Sequence, residues 1–133
     1  MDKSNEFLTK IIKLTKKERI VWFFNGEEYF SKELIVKKEY NKYEEEMSYE
    51  FSLEGYDENF TLKCIECKHD ISRGRKLIYS NTTYFKNIDF SITSVDNTSP
   101  LDILHRAIID QITNRNIRDK NTTIDNFLSY NIT

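Results

Sequence analysis

From Tyr43 to Glu54 the chain alternates strictly enough to leave few choices of fold. Tyr43, Met47, Tyr49, Phe51 and Leu53 hold odd positions, while Glu44, Glu46, Ser48, Glu50, Ser52 and Glu54 hold even ones. A period of two puts the two sets on opposite faces of a strand, one to pack and one to meet water. That is the pattern of an antiparallel sheet covered on a single side. Phe60, Leu62 and Cys64, then Leu77 and Tyr79, and finally Ile88, Phe90 and Ile92 repeat it less cleanly, which brings the expected count to about five or six strands.

The connections point to a meander. Arg19 to Phe24 is a dense aromatic and β-branched run that ends in Asn25-Gly26, the strongest two-residue hairpin signal, and Tyr29 resumes as a second strand. Gly55 and Gly74 also fall between extended runs, so all three glycines of the chain sit where turns are wanted.

Helices are expected at both ends. Over residues 4–16, Phe7, Leu8, Ile11, Ile12 and Leu14 recur near a 3.6-residue period, with Ser4 or Asn5 available as a cap and lysines late in the segment. Ser99-Pro100-Leu101-Asp102 reads as an N-cap serine, a proline at the first helical position and a variant capping box. Leu101, Leu104, Ile108 and Ile112 form the apolar stripe that follows. Residues 116–133 read as a polar extension in which 122–130 forms a short docked helix or stays loose. The fold class is therefore α+β: an N-terminal helix, an antiparallel meander, and a C-terminal helix on one sheet face, as one domain over residues 1–133.

Length and composition bound the setting. At 133 residues the chain can bury a core without disulfide staples, and its 14% aromatic content exceeds that of disordered chains. It contains no apolar run of the roughly 18 to 20 residues a membrane span needs, and the first residues lack a signal-peptide layout. A soluble cytoplasmic protein with reduced cysteines and no membrane partner is expected. One alanine and one proline beside abundant Lys, Asn and Ile suggest an AT-rich coding sequence, as in a low-GC bacterium, a phage or a mobile element.

Catalytic signatures are absent from the sequence. It has no glycine-rich phosphate loop, GxSxG elbow, HExxH or Walker lysine. Cys64-Ile65-Glu66-Cys67-Lys68-His69, with His105, offers metal-ligand residue types. In a continuous strand, however, Cys64 and Cys67 point to opposite faces, so no metal, cofactor or catalytic residue is expected. Convergence of Cys64, Cys67, His69 and His105 remains open at this level.

Three surfaces remain as candidates. Residues 21–60 carry eleven Asp/Glu against four Lys/Arg, and Glu44, Glu46, Glu50 and Glu54 form a stripe on the outer sheet face, about 7 Å per two-residue step. Lys37 and Lys63 on neighbouring strands stand ready to neutralise it. Phe23, Phe24, Tyr29 and Phe30 crowd one hairpin, so one set faces outward unless the first helix or the tail with Phe127 covers it. Lys68, Arg73, Arg75 and Lys76, together with the lysines and arginine of residues 10–19, supply basic clusters that suit nucleic acid. The expected role is a nonenzymatic protein that binds another protein, an inhibitor or immunity-type protein acting by surface occlusion through Glu44, Glu46, Glu50, Glu54, Phe23 and Tyr29. A nucleic-acid-binding module built on the basic clusters is the alternative.

Overall fold

The computed structural model describes residues 2–38, 45–56, 59–91 and 99–130. Helix α1 (Ser4–Lys16) precedes strands β1 (Trp22–Phe24), β2 (Tyr29–Ser31), β3 (Leu34–Lys38), β4 (Glu45–Tyr56), β5 (Asn59–Asp70) and β6 (Lys76–Lys86), and helix α2 (Pro100–Ser129) closes the chain. Every strand pair is antiparallel, in the order β1-β2-β4-β5-β6, with β3 joining the β4 edge beside β2. This is the expected α+β arrangement with an open six-stranded sheet. Glu44 lies outside the described residues, as does Ile92.

The alternation read in β4 sets the packing. Phe51 and Leu53, with Leu62 and Cys64 opposite them in β5, face α1 and α2. Leu8 and Ile11 of α1, Trp22 of β1, and Leu101, Leu104 and Ile108 of α2 complete the buried cluster. Phe7 of α1 stacks on Phe85 of β6 at 4.7 Å between ring centroids. Asp2 Oδ1 accepts the Ser4 amide at 2.9 Å, so Asp2 supplies the side-chain oxygen at the start of α1 in place of Ser4 or Asn5.

Two irregularities shape the sheet. Phe30 pairs with Ser52 and Leu34 with Tyr49, so four steps along one side meet three along β4 and one residue bulges out. Ser31 Oγ accepts the Phe51 amide at 2.9 Å there, keeping that N–H bonded. The register between β5 and β6 also slips, between Lys68 and His69, leaving Ile78 as the extra residue. Beyond it a 3-10 turn (Ile71–Arg73) is closed by Gly74 at φ 73°, a conformation that favours glycine.

Several sequence expectations shift. Phe24 pairs with Tyr29, so the hairpin loop has four residues rather than two: the Asn25 side chain accepts the amides of Glu27 and Glu28 at 2.9 and 2.8 Å. The strand expected around Ile88 and Phe90 is instead a 3-10 turn (Asn87–Asp89) that leads to α2. Pro100 does open α2, but the Ser99 hydroxyl makes no capping bond. Asn87 Oδ1 accepts the Leu101 amide at 3.1 Å and serves that end of the helix from across the fold.

Helix α2 itself is the largest departure. It does not stop near Arg115 but runs 30 residues to Ser129, about 45 Å. Neither a loose tail nor a separate short helix forms over 116–129.

Candidate functional site

The outer face of the sheet, opposite the helices, does not carry the acidic stripe as a unit. Glu50 and Glu54 are exposed. Glu46 is only 6% exposed, because the β5–β6 connection lies against this end of β4. Arg75 Nε donates to Glu46 Oε2 at 3.0 Å, and its guanidinium also reaches Glu33. Lys37 sits directly opposite Glu46 in the register, yet Arg75 is the cation that takes the carboxylate. The alternation of β4 identifies the face correctly; covering by a distant turn is what it does not foresee.

Three of the four basic residues near this turn are paired with carboxylates. Arg75 is held by two carboxylates, Lys68 Nζ lies 3.2 Å from Glu45, and Arg73 Nε lies 3.8 Å from Asp70. Lys76 stays exposed at the start of β6. On α1, Lys10, Lys13 and Lys17 line a shallow groove with Asn5, Glu6, Thr9 and Leu14.

The hairpin aromatics divide by face. Trp22 is fully buried, and its Nε1 donates to Thr15 Oγ1 at 2.9 Å. Phe23 stacks on Phe30 at 5.7 Å, and the Arg115 guanidinium sits 4.6 Å from its ring centroid. Phe23 is thus covered by α2 and not by Phe127. Tyr29 packs edge-on against His105 at 5.2 Å, and Phe60 lies 4.6 Å from that imidazole. Phe24, Tyr29, Phe60 and His105, with Glu27 and Asp102, line a cavity of about 290 Å³. Burial lowers the His105 pKa, with Asp102 partly opposing it.

The sulfur and imidazole groups do not converge. Cys64 packs in the core, where burial and then the Glu66 charge push its thiol up to about 11. Cys67 points to the other face, with its Sγ 3.7 Å from Ser80 Oγ. Ser48 Oγ lies 3.2 Å from His69 Nε2, a distance at which a nucleophile and base can pair. Ser48 is only 3% exposed, however, and among the described residues His69 Nδ1 has no hydrogen-bond partner to orient the ring. Among the described residues no group of three or more His, Cys, Asp or Glu side chains is placed to hold a metal ion, and no helix is long and apolar enough to cross a membrane.

The surface that the sequence reading missed is the second half of α2. Ile117, Ile124, Phe127, Leu128 and Tyr130 are between 43% and 73% exposed. At 100° per residue, Ile117, Ile124 and Leu128 fall within about 40° of one another. The core-facing residues Leu104, Ile108 and Arg115 lie roughly half a turn away around the same helix. The apolar stripe thus changes sides after Arg115 and points away from the sheet. Plotting residues 100–130 as one helix exposes this change, whereas splitting the segment at Asn116 hides it.

No family model matches the chain, and neither a curated protein nor a solved structure matches it.

Proposed function

We propose that this is a nonenzymatic binding protein that covers part of another protein, an inhibitor or immunity-type protein of a bacterium, phage or mobile element. The observation that carries the reading is the second half of α2. A helix segment that extends beyond its own core gains little from intrinsic propensity, and Asn116, Asn121, Thr122 and Thr123 are weak helix formers. Its apolar stripe at i, i+7 and i+11 has the form of a helix that lies in a partner's groove. The acidic residues Glu50 and Glu54 lie on the opposite sheet face, and Glu46 is engaged within the fold. The binding surface is therefore assigned to α2 in place of the acidic stripe, with Phe24 and Tyr29 on a separate part of the molecule.

The test is capture of partners by the tagged full-length chain from its source cells, with and without nuclease, beside an Ile124→Ser/Leu128→Ser variant. The reading predicts a stoichiometric protein that survives nuclease and is lost with the variant. Recovery of nucleic acid alone, or a partner retained by the variant, overturns it. Circular dichroism of the variant, unchanged in β signal, excludes unfolding as the cause.

A further inference from the structure

The two sides of the sheet are finished differently. At β1, α2 supplies side chains for the outward backbone groups: Gln111 Oε1 accepts the Trp22 amide at 2.7 Å, Gln111 Nε2 donates to the Ile20 carbonyl at 2.7 Å, and Arg115 donates to the Trp22 carbonyl at 2.6 Å. Strand β1 has three residues. Strand β6 has eleven, pairs among the described residues only with β5, and is exposed along nearly its whole length. Among the described residues, no other segment hydrogen-bonds to the outward backbone groups of 77–85. Between Lys76 and Lys86 it carries no charged residue. A long, uncharged, exposed edge is a template for pairing with another strand.

We infer that β6 pairs with β6 of a second copy of this chain, antiparallel about a two-fold axis at Asn81. The strand is self-complementary in that register. Past the bulge at Ile78, Tyr79 meets Thr83 and Ser80 meets Thr82, so an aromatic ring faces a β-branched side chain and two small hydroxyls face each other. Asn81 meets its own copy. Lys76 and Lys86 lie beyond the ends of this five-residue segment and would face each other if the pairing spread, so their like charges keep it short. The contact is isologous, so it closes at two copies. The remaining edges are short: β1 is plugged by α2, and β3 is five residues ending in Lys37 and Lys38, a charged terminus that resists pairing.

Sedimentation analysis and native mass spectrometry of the full chain from about 1 to 100 µM test this directly. The wild type is expected to pass from monomer to dimer across that range. Asn81 is exposed and sits opposite Glu66, so Asn81→Lys should keep its stability and Asn81→Glu should lose a little while retaining the wild-type circular dichroism spectrum, and each should raise the dimerisation midpoint at least about tenfold. Mixed in equal amounts, the two variants should re-form a dimer, now one of each, that weakens with salt. A wild type that stays monomeric, a dimer that persists in both variants, assembly beyond two copies, or a mixture that remains monomeric each overturns the inference.

Discussion

Gln111 Oε1 accepts the backbone amide of Trp22 across 89 positions of sequence, in a fully buried contact. The same side chain donates to the carbonyls of Thr15 and Ile20 at 2.8 and 2.7 Å. One amide thus satisfies three backbone groups where α1 ends and β1 begins. Replacing it by the apolar, similar-sized methionine takes these bonds from the buried Trp22 amide and Ile20 carbonyl, while the Thr15 carbonyl keeps the Glu18 amide at 3.1 Å. Gln111→Met is expected to lower unfolding free energy by about 2 to 4 kcal/mol, read as a lower urea midpoint with an unchanged slope.

Arg75 and Glu46 offer a separate test, at the far end of the sheet. Removing the cation leaves Glu46 buried without its partner, so Arg75→Ala should cost about 1 to 2 kcal/mol, less than a fully buried pair because the guanidinium is partly exposed. The double variant Glu46→Gln/Arg75→Ala should recover part of that loss. A double variant whose cost equals the sum of the singles would mean that the two side chains are not coupled.

Cys64 makes stability fall at high pH. Its thiol titrates near 9.0 when free and near 11 in the fold, so the folded protein binds the proton more tightly. The associated stability is complete below about pH 9 and is lost as pH rises towards 11, on the order of 2 kcal/mol. Cys64→Val should remove that part of the decline. Tyr49, raised to about 12 by burial and by its bond to Glu66, should extend the fall in both proteins. Thiol labelling near pH 8 should modify Cys67 quickly and Cys64 only on unfolding.

Truncation after Asn116 separates the two halves of α2. Apart from the exposed Arg118–Glu18 ion pair, the removed part leaves the buried cluster untouched. Unfolding free energy should change by less than about 1 kcal/mol, while far-ultraviolet circular dichroism loses helical signal. A loss above about 3 kcal/mol would instead make the distal helix part of the folding core.

The fold was legible where period and burial agree. In β4 the odd residues Phe51 and Leu53 pack while Glu50 and Glu54 stay outside, because one face of an antiparallel sheet must meet the helices. The reading failed where a distant segment changes a local rule. Glu46 belongs to the outer set, yet Arg75, 29 positions away, covers it. Phe24 shares a face with buried Trp22, yet stands 52% exposed because the sheet ends there. The candidate surface was only partly legible for the same reason. Residues 116–129 look like a polar tail when judged by composition, and their apolar stripe emerges only when helical phase is carried through from Pro100.

The Gln111 contact also imposes an order on synthesis. A chain made from its N-terminus can pair β4, β5 and β6 as they emerge, since each partner is adjacent in sequence. The groups around Trp22 must wait for a residue made 89 positions later, roughly 5 to 20 seconds at ordinary elongation rates. Through that interval Trp22 and the open β1 edge stand beside an unfinished core. The period of greatest exposure to mispairing is therefore fixed by chain direction.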